Sequence, residues 1–315
     1  MQTLSPQNLT TRLIVADEAE TYASSIPGFD IEVIRTGQGD GPNLTRRTSL
    51  KSGILASASI GFPMLGRARI GENTVLINLI TSAPPGSRWC GIDLEPGTVM
   101  LYGPGAPHTG ISPVGFGFSL VAINVRAIEE TADRLEMKLD LPERGRVRTL
   151  NPTPEVRSLT RMLSLASDPI DPTEIAEMHH LDALHSAVAA LSIEPSAHEI
   201  GAGARIDSRY IVHVCIEYAD AIERVPTISE MCLVTHVSER RLRGAFTDLF
   251  GVAPVRYFRF RSLAHARRTL TEPGPPGRTV SGVASDLGHQ NFGRFARQYE
   301  ATYGELPSET LRNTR

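Results

Sequence analysis

Three cysteines in 315 residues, Cys90, Cys215 and Cys232, are too few and too scattered for a disulfide framework or a zinc knuckle. A reducing compartment fits that usage. No stretch approaches the ~20 consecutive apolar residues of a membrane span. The opening "MQTLSPQNLTTRLIVADEAE" lacks the basic start and apolar core of a signal peptide. The expectation is a cytoplasmic protein with no membrane partner. Lysine is absent from residue 207 onward. Neither a G-x-S-x-G elbow nor a G-x-x-x-x-G-K loop occurs, so serine-hydrolase and phosphate-loop chemistry have no support. The histidines of "EMHHLDALH", His179, His180 and His185, lack the i, i+4 spacing of a helical metal site. No metal, cofactor or catalytic residue is assigned, and the chain is not expected to be an enzyme.

What is present is a charge asymmetry inside a nearly neutral chain. The formal net charge is −3, yet residues 207–315 hold 15 Arg against 12 Asp and Glu. Residues 238–299 hold 11 Arg against 4 acids, a balance of +7. Such a local field suits a polyanion partner, although a solvated basic face would show the same balance.

The punctuation divides the chain. Residues 29–125 read as short strands, among them "FDIEVIR", "GILASASI", "TVLINLIT", "SRWCGIDL", "GTVMLYG" and "GFSLVAINV", parted by turn clusters such as "SAPPGS" and "EPG". Many short strands at such spacing predict a barrel or sandwich. Helical spacing takes over in "VRAIEETADRLEMKL" and "TPEVRSLTRMLSLAS" and again over residues 171–193, and the whole stretch at about 126–193 suits a helical dimer or contact region. Residues 194–206 are small and polar and read as a linker between a domain at 1–193 and a helical one at 207–315. The fold class is α+β.

Within the helical region a short pattern occurs twice. "GVAPVRYFR" at 251–259 is echoed 53 positions later by "GELPSETLR" at 304–312. Upstream, Leu242 and Phe246 match Phe295 and Tyr299 at the same offset, and Cys232 and His236 match Ala284 and Gly288 at 52. Each copy reads as a small residue, a turn residue four later, then a helix with large apolar residues at i and i+4. That is a helix-turn-helix, whose turn residue needs a left-handed backbone. Stepping ~100° per residue from Leu242 groups Ala245, Phe246 and Leu249 with it as core. Arg240, Gly244 and Thr247 lie opposite, with Arg241 and Arg243 on the flanks. In the second copy Tyr299 and Thr302 point inward with Phe295. Gly293, Arg297 and Glu300 face outward, and Arg294 flanks. A central arginine suits bidentate pairing with guanine, and a flanking one suits phosphate. The helix over 254–272 would be roughly 27 Å long, of the order of the ~34 Å between successive major-groove faces. The duplicated pattern thus suits a DNA surface read twice.

The segments "VSERRLRGAFTDLFGVAPVRYFRFRSLAHARRTL" and "VASDLGHQNFGRFARQYEATYGELPSETLR" resemble the DNA-binding domain of the AraC/XylS family of bacterial transcription regulators. The resemblance implies two helix-turn-helix units and binding to a promoter element as activator, repressor or both. Carried over by position, the base-reading places fall on Arg240, Arg243 and Gly244 in the first unit and on Phe292, Gly293, Ala296 and Arg297 in the second. Arg241 and Arg294 join them as phosphate contacts. His236 departs from the glycine usual at the first turn. "EPGPPGRTVSG" is longer than the usual connection, and Gly282 weakens the helix after it, so the second unit is expected to be held less firmly.

"EPGTVMLYGPGAPHTG" is similar to the strand–loop of the cupin-like effector domains attached to this family, which implies a cupin-like β-barrel with accessory helices at 1–193, serving effector binding and dimerisation. A metal cupin needs further clustered His and Glu near His108, and the next histidine is His179. Arg88, Trp89, Tyr102 and His108 are candidate pocket residues for a small-molecule effector, although an aromatic in a barrel is usually core. A homodimer and contact with RNA polymerase are further expectations. Two rivals stay open at this point. One is a cupin-type enzyme with an incidental basic tail, and the other is a DNA-binding regulator without a ligand, controlled by its abundance.

Overall fold

A computed structural model of the protein describes residues 11–165, 183–192, 199–200, 204–274 and 277–314. Strand β1 (Thr11–Ala16) and a short helix α1 (Ala19–Ala23) precede β2 (Asp30–Arg35), β3 (Asn43–Leu50), β4 (Gly53–Ser59), β5 (Met64–Arg69) and β6 (Thr74–Ser82). A small hairpin of β7 (Arg88–Trp89) and β8 (Ile92–Asp93) leads to β9 (Val99–Tyr102), β10 (Pro107–Ser112) and β11 (Gly117–Asn124). Then come α2 (Val125–Arg134), β12 (Val147–Leu150), α3 (Pro154–Leu165), helix α4 over residues 183–191 and β13 (Glu199–Ile200).

These strands form two sheets, with no closed barrel among the described residues. Eight are ordered β1-β3-β4-β11-β6-β9-β12-β13, antiparallel throughout, and five are ordered β2-β5-β10-β7-β8. Among the described residues no pairing joins the two edges of either sheet. The terminal strands β8 and β13, and β7 beside β8, are only 2 residues long, too short to carry a ladder further.

The runs in β6, β9 and β11 lack clean alternation because both faces of the larger sheet are buried. One face, with Val75, Ile77, Leu79, Val99, Leu101, Val121 and Ile123, packs under α2, α3 and α4. The other face buries Leu76, Met100, Tyr102, Leu120 and Ala122. Capping fixes the helices that cover the first face. The Asn124 side chain accepts from the Arg126 amide to start α2, and Thr153 Oγ1 accepts from the Val156 amide ahead of Pro154 in α3. Of the three clustered histidines, His179 and His180 lie outside the described residues, and His185 is exposed on α4. Within the anticipated linker, Glu199 and Ile200 pair with Arg148 and Val147 of β12, and the next helix begins at Ala204.

Seven helices follow among the described residues: α5 (Ala204–Ile222), α6 (Ile228–Thr235), α7 (Glu239–Phe250), α8 (Pro254–Thr271), α9 (Val280–Asp286), α10 (Phe292–Tyr303) and α11 (Pro307–Asn313). By backbone packing the chain divides into two units. The first comprises Met1–Val33, Gly41–Gly61 and Gly66–Gly201, and the second Ile34–Asp40, Phe62–Leu65 and Ala202–Arg315. Among the described residues no helix is long and apolar enough to cross a membrane.

In the second unit α8 is the shared support. Phe246 and Phe250 of α7 meet Tyr257 with ring centroids 5.4 and 4.5 Å apart. Phe295 and Tyr299 of α10 pack with Leu263, Ala266 and Leu270 further along α8. The second motif is also held by polar groups. Arg267 of α8 donates to Glu305 Oε1 at 2.8 Å and to the Tyr299 hydroxyl at 3.3 Å, and Thr310 Oγ1 donates to Glu305 at 2.6 Å. Arg278 donates to the carbonyl of Glu272 at 2.7 Å and to that of Thr269, so a cation closes the last turn of α8. Arg278, at the end of the connection expected to loosen the second helix-turn-helix, is thus bonded to the end of α8.

Burial alone would raise the carboxyl pKa of Glu305. The bonds from Thr310 and Arg267 and the arginine's charge outweigh it and hold the group below its ordinary 4.5. A carboxylate depressed in the folded state contributes stability above the unfolded value and loses it as pH falls through the folded one. Glu305→Gln is therefore expected to destabilise the protein by about 1–3 kcal/mol at neutral pH, since it leaves Arg267 short of a partner. It is also expected to flatten the fall of Tm below pH 4.5. Thermal melts of wild type and variant across pH 3–7 would check both effects, and parallel Tm–pH curves would refute the assignment.

Candidate nucleic-acid interface

Each copy of the repeat builds the same frame. In the first, Thr227 and Glu230 form a capping box at the start of α6, and Arg224 grips Glu230 at 2.6 Å. The Arg224 bonds, followed by those from Thr227, bring the Glu230 carboxyl down to about 2. The helix ends at His236 with φ 54°, ψ 32°, so the histidine adopts the left-handed turn that Gly288 makes in the second copy at φ 83°. Ser238 then caps α7 and Asn291 caps α10, each accepting from the amide three residues on. Both helices are 12 residues long and close on a left-handed glycine, Gly251 and Gly304. The small residues differ between copies. Ala284 is fully buried, whereas Cys232 is half-buried and Met231 beside it takes the interior place.

The core stripes lie where helical phase puts them. Leu242, Ala245, Phe246 and Leu249 are buried on α7, and Phe295, Tyr299 and Thr302 on α10. On the outer side of α7, Arg240 and Arg243 are exposed and Arg241 and Gly244 half-buried. On α10, Phe292, Gly293, Arg294 and Arg297 are exposed and Ala296 is half-buried. A Cβ added at Gly244 would meet nothing within 4 Å, and one at Gly293 only Asn291 Oδ1 at 3.7 Å. Packing inside the unit does not require glycine at either place. Both leave the outer surface open to close approach.

Electrostatics sorts the arginines further. Several are neutralised internally: Arg224 by Glu230, Arg261 by Asp220 at 2.6 Å, and Arg267 by Glu305. Arg243, assigned from sequence as a reading residue, is held by Glu239 one turn back at 2.6 Å. Releasing it costs under about 1 kcal/mol for an exposed pair. Arg240 and Arg297 have no ion pair or side-chain hydrogen bond among the described residues. Their guanidinium groups are available to an outside partner.

Two residues that sequence reading passed over join this surface. Arg259 of α8 stands close enough to Arg294, and to Arg256 one turn back on the same helix, for their charges to interact. Burial first, and then the charges of Arg294 and Arg256, lower the pKa of Arg259. The same field, after burial, lowers His289, whose Nε2 is 2.8 Å from Ser262 Oγ. No carboxylate pairs with Arg256, Arg259 or Arg294 among the described residues. Three like charges gathered without a counter-ion suit a phosphate. The i, i+3 spacing of Arg256 and Arg259 was visible in the sequence, but the nearness of Arg259 to Arg294 was not.

In the first unit, Trp89, Tyr102 and His108 come together, with ring centroids 5.6 Å (Trp89–His108) and 4.9 Å (Tyr102–His108) apart. The Trp89 indole N–H donates to Ser112 Oγ at 3.2 Å. Its ring lies so close over Gly66 and Gly110 that a Cβ there would meet it at 2.7 and 2.3 Å. Burial pushes the Tyr102 hydroxyl pKa well up, and that hydroxyl donates to Met100 Sδ at 3.2 Å. Arg88 does not join them. As Trp89's neighbour on β7 it projects to the other side, donating to the Gly91 carbonyl at 3.1 Å beside Asp93.

Residues 231–313 match a protein family described as a helix-turn-helix domain. The chain is similar to "XylDLEGF operon transcriptional activator 2" of Pseudomonas putida, 36% identical over 90 residues, 29% of this chain and 57% of that protein. It is also similar to the "Probable thc operon regulatory protein" of Rhodococcus erythropolis, 32% identical over 103 residues, 32% of this chain and 31% of the relative. The matched stretch thus spans little more than half of the first relative and a third of the second. Among solved structures, a probable AraC family transcriptional regulator from Rhodopseudomonas palustris is 34% identical, with TM-score 0.31, over 34% of this chain and 98% of that one.

Replacing Arg259 by Ala is expected to weaken binding to any duplex alike and to lower the slope of log affinity against log salt by about one. Glu239→Ala, which frees Arg243, is expected to raise affinity for unrelated duplexes. Fluorescence anisotropy at several salt concentrations reads both. An unchanged slope in the Arg259 variant would remove that residue from the interface.

Proposed function

With a carboxy-terminal domain of the AraC/XylS helix-turn-helix family as premise, we propose that the chain is a sequence-specific DNA-binding transcription regulator, acting as activator, repressor or both. The observation that carries this reading is the repeated frame, two 12-residue helices with matched caps, each exposing an unpaired arginine (Arg240, Arg297) on the side away from its buried apolar stripe. Arg240 and Arg297 would read guanine edges. Arg241, Arg294, Arg256 and Arg259 would hold phosphates and set register without reading sequence. Gly244, Gly293 and Ala296 would admit the backbone of each helix close to the base pairs.

The two sheets of the first unit support a cupin-like sensor and dimerisation domain, with residues 1–193 regulating 207–315 across the intervening segment. Trp89, Tyr102 and His108 would line the effector's place in it. In this reading the regulator works as a homodimer that contacts RNA polymerase at the promoter. One observation favours a second reading of the sheets. Trp89 is packed hard against Gly66 and Gly110, as a core side chain would be, which suits a domain that associates without a ligand. A thermal-shift screen of the whole protein against small aromatics, sugars and acids separates the two, because a ligand that binds the native state raises Tm with its concentration.

The DNA reading is tested by titrating the full chain on duplexes selected from a random pool and on scrambled controls. Arg240→Ala and Arg297→Ala are expected to lose ~1–3 kcal/mol on the selected duplex and much less on the control. Arg294→Ala should weaken both equally. Loss of specificity in the Arg294 variant with general weakening in the other two would turn the reading face around the helix.

A further inference from the structure

The two reading helices share a frame but not a surface. At the 53-residue offset, Glu239 and Arg243 of α7 correspond to Phe292 and Ala296 of α10, and Arg240 and Gly244 correspond to Gly293 and Arg297. Each pair is spaced i, i+4 and forms one row along its helix. The row that is an ion pair in the first copy, 2.6 Å between Arg243 and Glu239, is therefore carbon in the second. Phe292 stands at the first position of α10 with 45% of its surface exposed. It has no ring contact among the described residues, unlike Phe295 and Tyr299 on the same helix. Beside it Gly293 leaves open space.

A single exposed aromatic is common on protein surfaces and needs no partner. What distinguishes Phe292 is its register. It stands exposed at the first position of α10, one turn before Ala296, at a place the AraC/XylS resemblance assigns to base reading. Resting on the DNA-binding reading above, we infer that Phe292 and Ala296 form an apolar reader of thymine, packing on C5-methyl groups in the major groove. The thymine methyl is the one apolar group that distinguishes base pairs there. A phenyl ring laid on cytosine, guanine or adenine would give up water contact at polar edges without that gain. The two half-sites therefore differ in kind: α7 reads guanine through Arg240, and α10 reads thymine through Phe292 and Ala296 beside a guanine read by Arg297.

The test removes only the methyl. The full chain is used to select duplexes from a random pool, and each dT of the preferred sequence is then replaced in turn by dU. At one or two thymines in the α10 half, wild type is expected to lose about fourfold in affinity per methyl, the equivalent of ~0.8 kcal/mol. Phe292→Ala is expected to bind dT and dU duplexes equally, Phe292→Leu to retain part of the difference, and Arg240→Ala to retain all of it. A selected duplex that tolerates dU at every position overturns the thymine reading while leaving sequence-specific binding intact. So does a Phe292→Ala variant that still discriminates dT from dU. A pool that yields no preferred sequence overturns the DNA-binding reading itself, and the thymine inference with it.

Discussion

The packing of two helices onto one fixes everything else in the helical unit. α8 receives Phe246 and Phe250 of α7 near its start and Phe295 and Tyr299 of α10 further along. Once those rings are buried, a helix of 3.6 residues per turn has no freedom left over which side chains face outward. The outward set, Arg240 and Arg243 on one helix and Gly293 and Arg297 on the other, follows from the inward one. A shift of one residue in either stripe would put an arginine into the core, at a cost no neighbouring acid offsets.

Charge then separates structure from recognition within the same residue type. Arg261 and Arg267, half-buried against the fold, are matched to Asp220 and Glu305 and serve the architecture. Arg259 is left between the like charges of Arg256 and Arg294, with no carboxylate paired to any of the three among the described residues. The Glu239–Arg243 pair lies between these extremes. It ties Arg243 to an internal carboxylate, whereas Arg240 has no such partner among the described residues.

The helical unit was legible in the sequence because its determinants are local and repeated. Caps, a turn residue and an i, i+4 apolar stripe all occur within ~25 residues, and finding them twice at one offset fixes the phase. His236 at φ 54° shows the turn prevailing over residue preference, as the offset implied. The sheet unit was less legible. Strands such as "NLTRRTSL" (β3), "MLGRAR" (β5) and "PHTGIS" (β10) carry Arg, Gly or Pro and lack a β-branched run, so they form through pairing with neighbours and not through propensity. The burial of β6 and β11 on both faces erased the alternation by which strands are read. At the interface the miss had another cause. Arg259 meets Arg294 across 35 residues of sequence, and no periodicity encodes a tertiary neighbour.

The repeat also shows why a duplicated motif can diverge without losing its fold. The residues that make the frame are Leu242 and Phe295, Phe246 and Tyr299, Gly251 and Gly304, and all of them face inward or close a helix end. The residues that differ most, Glu239 against Phe292, Arg240 against Gly293 and Arg243 against Ala296, face outward and contribute little to packing. Substitution on that face changes the chemistry offered to a groove while leaving the support on α8 untouched. Folding constraints and reading constraints thus fall on complementary sets of positions. One chain can therefore present an ionic row on one helix and an apolar row on the other on the same scaffold.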